Sequence, residues 1–233
     1  MKEEKIFIGS YTNVVKKYID ESFFNNLYKL SKENDVYIID NSLNLEYFNE
    51  IVNMCKDYKN FQFKYLDFSI EPKESIFQRR VTGCANHLRD LFLKGNYKYF
   101  MSIESDVLPP IDIIERFNNS ISTLPDNWGI LGALYHGLHG NKEDGRIGHH
   151  DFPDIPKIIT GLYQPEQVLS GCTIYKKEII MKYPFRYDEN DLGQFHDHFI
   201  CEDAKNNGYT IWDDRDIDCQ HFPSASIQKK DIK

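Results

Sequence analysis

Apolar runs and amphipathic segments alternate along the first 135 residues of the chain. Segments rich in apolar residues predict strands over residues 5–10, 36–40, 61–66, 97–103 and 128–135. Between them, apolar residues recur at helical spacing and predict helices over residues 18–32, 45–57, 74–94 and 111–120. Strands that alternate with helices form βαβ units. We therefore predict an α/β fold with a single Rossmann-like, mixed and mainly parallel sheet flanked by helices.

The pattern changes after residue 135. Residues 136–164 show no periodicity and are rich in Gly, His, Asp and Pro, as long functional or disordered loops are. Beyond this loop we predict a strand over residues 168–175, a short helix from Lys177, a longer helix over residues 196–206 and a short strand over residues 209–212. Asn207 and Gly208 suit the end of the longer helix. Residues 224–233 read as a polar tail.

Two carboxylates follow one of the predicted strands directly. Glu104 and Asp106 are separated by Ser105, and a double proline closes the segment at Pro109. Residues at i and i+2 of a strand point to the same side, so the two carboxylates would repel each other and lose hydration together. A divalent cation such as Mg²⁺ or Mn²⁺ would relieve this conflict. The alternative is a solvated turn that caps the next helix.

Other polar residues occupy the same kind of position. Ser10 and Asp40 also stand at the predicted carboxyl ends of strands. Ligands of parallel α/β sheets bind at that edge. The agreement between these positions favours a ligand site there, although residues 40–42 would also make a good turn without a ligand.

Composition narrows the class of protein. The chain has 233 residues, 28 basic against 36 acidic side chains and a formal net charge of −8, which argues against non-specific nucleic-acid binding. Its five cysteines form no regular framework, so we expect free thiols in a reducing cytoplasm. The pattern at the start of the sequence predicts no signal peptide, and no apolar stretch reaches the roughly 18–20 residues that span a bilayer. Oligomeric state is left open.

The order of these segments resembles the nucleotide-sugar-dependent glycosyltransferases of the A-type fold, particularly family-2-like enzymes. The resemblance covers residues 5–222 and rests on six segments, which are residues 6–11, residues 39–42, the arginine-bearing helix with Glu104-Ser105-Asp106, residues 169–175, residues 197–209 and His221. It implies one domain over residues 1–223. The nucleotide-binding half would be residues 1–135 and the acceptor half residues 136–223.

The resemblance also implies roles for the donor-binding residues. Residues 10 and 11 (Ser10, Tyr11) would border the nucleotide, and Asp40 would meet its base or ribose. Arg79 and Arg80 could bind the nucleotide or diphosphate, although a solvated helix face is the equal alternative.

The remaining roles concern the metal and the base. Asp106 and His221, with the donor phosphates, would hold Mn²⁺ or Mg²⁺. Glu104 and Ser105 lie in the D-x-D-like motif, where Glu104 would contact the metal, its bound water or the ribose. Asp197 would be the catalytic base that takes the proton of the acceptor hydroxyl. Ordinary roles compete, because Asp197 could be a helix N-cap and His221 a common surface or core histidine.

The resemblance predicts a metal-dependent transfer of a sugar from a nucleotide-sugar, with a UDP-sugar favoured, to an acceptor hydroxyl with inversion. The acceptor would be a carbohydrate, a lipid-linked molecule or a protein. A nucleotidyltransferase would prefer a Gly-rich basic loop after the first strand, which residues 9–13 lack. A catalytically silent sugar- or nucleotide-binding module is a further alternative.

The histidines of the long loop suggest a different chemistry. His136, His139, His149, His150 and Asp151 could form a second metal site or the centre of a hydrolase. Adjacent histidines do not easily converge on one ion from a regular element. We therefore favour a mobile acceptor-binding lid for this loop.

Overall fold

The computed structural model describes residues 5–68, 77–135, 160–190 and 194–222. The strands in these ranges are β1 (Ile6–Thr12), β2 (Asp35–Asp40), β3 (Phe61–Tyr65), β4 (Tyr99–Ile103), β5 (Val107–Leu108), β6 (Trp128–Tyr135), β7 (Leu162–Tyr163), β8 (Cys172–Lys176) and β9 (Thr210–His221). The helices are α1 (Asp20–Ser31), α2 (Leu45–Met54), α3 (Phe77–Lys94), α4 (Ile113–Ile121), α5 (Lys177–Lys182) and α6 (His196–Asn206). A 3₁₀ turn, Val14–Lys16, connects β1 to α1.

The strands form one sheet in the order β3-β2-β1-β4-β8-β6-β9-β5, with β7 paired to β9. Strands β1 to β4, β6 and β9 run in one direction, and β5, β7 and β8 run in the other. The predicted fold class, a mixed and mainly parallel sheet flanked by helices, is therefore confirmed. The antiparallel strand β8 lies between β4 and β6 and brings the second half of the chain against the first.

Helices cover both faces of the sheet because the strands are apolar on both sides. In β1, Ile6 and Ile8 face one core cluster, and Phe7 faces the other. The first cluster includes residues of α1, α2 and α4, and the second includes residues of α3, α5 and α6. Strands that are buried on both faces read as continuous apolar runs, which is why the sequence predicted them.

Several element boundaries differ from the sequence predictions. Strand β9 has 12 residues, whereas we expected a short strand over residues 209–212. The short strands β5 and β7 were not predicted, and residues 168–171 precede β8 instead of belonging to it. Gly208 does end α6 as expected, with a φ of 82°.

The charged centre of β9 explains the missed strand. Asp213, Asp214 and Arg215 are almost completely buried, although such a run of charges is typical of a turn. The register of β6 against β9 shifts between Ala133↔Asp214 and Leu134↔Asp218, so the extra residues form a bulge. The backbone N–H of Arg215 donates to the carbonyl of Gly161 at 2.9 Å and ties this bulge to the segment before β7.

Two sequence predictions concern residues outside the described ranges. The histidines and Asp151 of the long loop lie outside the described residues, as does the polar tail over residues 224–233. Of the helices in the described ranges, none combines the length and the apolar composition that crossing a bilayer requires.

Candidate active site

The pairing of β5 with the end of β9 builds the centre of the site. Val107 is in register with His221, and the backbone N–H of Phe222 donates to the carbonyl of Asp106 at 2.9 Å. This pairing places Nε2 of His221 3.4 Å from Oδ2 of Asp106. Both side chains are more than nine-tenths buried. Two residues that lie 115 positions apart in the sequence are therefore neighbours because of one short antiparallel ladder.

A lysine that the sequence did not indicate completes this centre. Nζ of Lys16, at the end of the 3₁₀ turn, contacts the same Oδ2 of Asp106. Burial raises the pKa of Asp106, but the hydrogen bond with His221 and the charge of Lys16 together outweigh it, and the pKa lies below its usual value. Asp106 is therefore an anionic carboxylate at neutral pH, as a metal ligand must be.

Glu104 lies between strand β1 and the segment before β8. Its Oε1 accepts hydrogen bonds from Oγ of Ser170 at 2.9 Å and from the hydroxyl of Tyr11 at 3.4 Å. Burial and the charge of Asp106 raise the pKa of Glu104 to about 7. Its described hydrogen bonds thus connect β1 to the segment before β8, which fits a supporting role better than direct metal ligation.

Asp197 is the second residue of α6 and is 7% exposed. Its Oδ2 accepts from the backbone N–H of Ser170 at 3.2 Å, and its Oδ1 accepts from the backbone N–H of His198 at 2.9 Å and from Nε2 of Gln167 at 3.5 Å. Phe195, not Asp197, is the N-cap of α6. The N-cap interpretation is therefore wrong, and the carboxylate is held against residues 167–170.

Ser170 connects the two carboxylates on this side. Its backbone N–H binds Asp197 and its hydroxyl binds Glu104. The adjacent Gly171 donates its N–H to the hydroxyl of Tyr135 at 3.2 Å, and the Tyr135 ring meets His221 edge-on at 5.4 Å. The sequence gave no sign that Ser170 would contact both carboxylates.

Asp40 and Ser10, both predicted to lie near the nucleotide, differ in where the structure places them. Asp40 lies at the end of β2, where its carboxylate accepts from the N–H and hydroxyl of Ser42 at 3.0 and 2.9 Å, and burial raises its pKa. Ser10 does not end its strand as expected, because β1 continues to Thr12 and leaves Ser10 completely buried. The Oγ of Ser10 is buried without a hydrogen-bond partner in the described part of the chain, and its role beside the nucleotide stays a prediction.

Four further residues with predicted donor-binding roles differ in their burial. They are Tyr11, Ser105, Arg79 and Arg80. Tyr11 contacts Glu104, and its ring lies 6.4 Å from that of His196. Ser105 is 4% exposed, in the turn between β4 and β5. Arg79 and Arg80 are half-buried in the first described turn of α3.

The donor atoms of Asp106 and His221 suit a shared ion. Ligand atoms bound at right angles to an octahedral ion stand roughly 3 Å apart, close to the 3.4 Å separation observed here. Within the described ranges, no group of three or more His, Cys, Asp or Glu side chains is arranged to hold a metal. An ion at this place would thus need further ligands, and the phosphates of a donor molecule could supply them.

No family model matches the sequence, and no curated protein matches it. Solved structures do match its fold. TarS from S. aureus, residues 1–349, is similar with a TM-score of 0.60 at 16% identity, over 93% of this chain and 60% of that one. The same protein in complex with UDP-GlcNAc has a TM-score of 0.60 at 15% identity, over 96% of this chain and 61% of that one.

A third similar structure comes from another organism. The mannosyltransferase PcManGT from Pyrobaculum calidifontis, in complex with GDP-Man and Mn²⁺, has a TM-score of 0.59 at 10% identity. That match covers 94% of this chain and 56% of PcManGT. The chain thus spans about three fifths of the length of the structures it resembles. At these identities the likeness concerns the fold, and the chain has the A-type glycosyltransferase fold that its sequence resembles.

Proposed function

We propose that this protein is a metal-dependent glycosyltransferase that moves a sugar from a nucleotide-sugar donor to an acceptor hydroxyl. The observation that carries the proposal is the pair of Asp106 and His221, which the β5–β9 ladder brings together. Glu104 lies near this pair and near Asp197, because the charges of all three residues affect its pKa. The similar structures support it, since TarS has been solved with UDP-GlcNAc and PcManGT with GDP-Man and Mn²⁺.

In this proposal Asp106 and His221 hold the divalent ion together with the donor diphosphate. A bound ion would offset the negative charge that develops on the diphosphate leaving group. Manganese is favoured over magnesium because one ligand is an imidazole nitrogen. The low pKa of Asp106 keeps this ligand anionic without requiring the ion to displace a proton.

The proposed base is Asp197. Its carboxylate is fixed by backbone N–H groups on Oδ1 and Oδ2, so it cannot turn freely away from a bound acceptor. A base that removes the acceptor proton while the diphosphate leaves from the opposite face inverts the anomeric centre. Glu104 supports this arrangement by binding the hydroxyl of Ser170, whose N–H holds Asp197.

The finer identity of the substrates is part of the proposal. We favour a UDP-sugar as donor, and a carbohydrate, a lipid-linked molecule or a protein as acceptor. Asp40 and Tyr11 would lie on the nucleotide side, and Arg79 or Arg80 would bind its phosphates. We also propose a cytoplasmic location, which all five cysteines, free and buried, would suit. The single-domain organisation over residues 1–223 belongs to the same proposal.

Thermal unfolding with UDP- and GDP-sugars, with and without Mn²⁺, tests the proposed function. A ligand at 100 times its Kd adds about 2.7 kcal/mol to stability, which raises the Tm of a protein of this size by roughly 5–10 °C. We expect one donor class to raise the Tm only when Mn²⁺ is present. Asp106→Asn should lose this rise, because the neutral amide is a poor metal ligand.

The exposed carboxylate of Asp112, which is the N-cap residue of α4 and half accessible, provides a matched control. Asp112→Asn should keep the donor-dependent rise in Tm. A Tm that is unchanged across the whole panel would contradict the proposal and favour the alternatives of a hydrolase or of a module with another ligand.

A further inference from the structure

Lys16 occupies a position that matters for the proposed metal. Its Nζ contacts Oδ2 of Asp106, and this is the same oxygen that lies 3.4 Å from Nε2 of His221. An ion shared by Asp106 and His221 would have to bind at that oxygen. The ammonium group of Lys16 therefore stands at the place where the proposed ion needs access.

The backbone on both sides of Lys16 is fastened to strands that form the site. The side chain of Asn13 accepts from the N–H of Val15 at 3.2 Å and donates to Oδ1 of Asn41, beyond the end of β2, at 2.8 Å. On the other side, the hydroxyl of Tyr18 donates to the carbonyl of Phe222, next to His221. The backbone that carries Lys16 is therefore braced on both sides, and the side chain reaches Asp106 from this turn.

The neighbouring lysine has a different environment. Lys17 points to Glu50 of α2, and the two side chains are 57% and 43% exposed. Lys16 has a side-chain exposure of 31%, and its partner Asp106 has only 4%. The chain therefore offers two adjacent lysines, of which only one meets a buried carboxylate of the site.

The ammonium group of Lys16 cannot stay at Asp106 when a divalent ion binds there. A divalent cation at Asp106 repels an ammonium group on the same oxygen, so Lys16 must move as the ion enters. Its flexible four-carbon stem allows Nζ to swing while the backbone remains fixed. The diphosphate of a donor would bring new negative charge to the same place, and lysine is a common phosphate ligand.

We infer that Lys16 is the counter-ion of Asp106 in the metal-free protein and binds the donor diphosphate once the ion has taken Asp106. This inference rests on the proposed function and adds a donor-binding residue to it. Lys16 would then oppose metal binding before the donor arrives and favour donor binding afterwards. Its replacement must consequently change the two affinities in opposite directions.

Calorimetric titrations of the full chain test this pair of effects. Mn²⁺ is titrated alone, and UDP and GDP are each titrated at saturating Mn²⁺. Lys16→Gln should bind Mn²⁺ about three- to tenfold more tightly, because the competing ammonium group is absent. The same variant should bind the preferred nucleotide about tenfold or more weakly, because one charge-assisted hydrogen bond is lost.

Matched variants separate this role from a general change in structure. Lys17→Gln removes the same charge one residue away and should leave both affinities unchanged. Lys16→Arg keeps a cation and should restore most of the nucleotide affinity. Lys16→Met provides a second uncharged variant if the glutamine variant does not fold, as judged by its Tm.

The possible outcomes are distinguishable. If the wild-type protein binds neither Mn²⁺ nor either nucleotide, both the proposed function and this inference are wrong. If it binds them and the two uncharged Lys16 variants behave like Lys17→Gln, only the inference is wrong. Tighter Mn²⁺ binding combined with weaker nucleotide binding supports it, since a merely structural role would weaken both.

Discussion

The carboxylate of Asp197 is oriented mainly by the backbone. The N–H groups of Ser170 and His198 hold its two oxygen atoms, so its direction depends on the fold more than on neighbouring side chains. Side-chain substitutions around it should therefore leave its position intact. This makes Asp197 suitable for a substitution that removes basicity without changing the shape of the site.

Asp197→Asn should preserve donor affinity and lower kcat by about 10²–10⁴, because general-base catalysis contributes an effect of this size. The measurement is turnover beside a calorimetric titration of the donor. Glu202→Gln, on the exposed side of the same helix, serves as control and should leave both quantities near their wild-type values. A loss of donor affinity in Asp197→Asn would show that the residue binds the donor.

Another buried carboxyl group lies in helix α1. Asp20 of α1 is 2% exposed, and its Oδ1 accepts from the hydroxyl of Tyr47 at 3.1 Å. Burial raises the pKa of Asp20 to about 6, although the hydrogen bond from Tyr47 opposes the rise. The folded protein thus holds this proton more tightly than the unfolded chain does. The protonated Asp20 therefore contributes most to the stability of the folded protein below about pH 4, and this contribution is lost as the pH rises through 6.

Asp20→Asn removes this pH dependence because an amide does not ionise. We expect the variant to be more stable than the wild type by about 3 kcal/mol at pH 8 and nearly equal to it at pH 4. Urea unfolding at the two pH values measures the difference. Glu21→Gln, an exposed neighbour, should change stability equally at both. A constant difference for Asp20→Asn would mean that Asp20 is not the titrating group.

The sequence indicated part of the site at the level of single residues. Asp106 and His221 could be singled out because each belongs to a segment with a recognisable order, and the structure brings them together. Lys16 could not, because two adjacent lysines before a helix have no distinguishing pattern. Its contact with Asp106 joins residues 90 positions apart, which a local pattern does not reveal.

At the level of elements, the apolar strands were predictable and the charged or very short ones were not. Strands β1, β2 and β4 are covered by helices on both faces, and β3 lies beside β2. The apolar residues in their sequences reflect this burial. In β9, the buried Asp214 is satisfied by the hydroxyl of Ser120 and by the N–H of Asp216, partners that a local pattern cannot reveal. The two-residue strand β5 has no periodicity to read.

The connection before β8 packs tightly against the ring of Tyr135. A Cβ atom on Gly171 would approach Cζ of Tyr135 to 2.3 Å, so only glycine fits against this ring. Tyr135 also accepts the N–H of Gly171 and lies edge-on to His221. A larger residue here would push apart Ser170 and Tyr135, which belong to the two sides of the site.

Gly171→Ala should destabilise the protein by about 1–3 kcal/mol, the usual cost of an overpacked core position. Turnover should fall as well, because Ser170 holds Asp197. Urea unfolding of Gly171→Ala, Tyr135→Ala and the double variant forms the test. The cost of Gly171→Ala should shrink when Tyr135 is already alanine. Equal costs in both backgrounds would show that Tyr135 is not the cause.

For the molecule as a whole, the antiparallel insertion of β8 determines where the site forms. Ile103 is in register with Cys172, and the N–H of Glu104 donates to the carbonyl of Gly171 at 2.9 Å. The carboxyl end of β4 therefore meets the segment that holds Asp197. The sequence predicted both strands, but their adjacency follows from chain topology and not from either segment alone.

The pairing of β5 with β9 also has a consequence for synthesis. Domains begin to fold while the ribosome is still adding residues, starting from the N-terminal side. During this interval Asp106 has already been made, whereas His221 and its ladder with Val107 have not. If Asp106 and His221 share an ion as proposed, their pair would be complete only after β9 has emerged and joined the sheet.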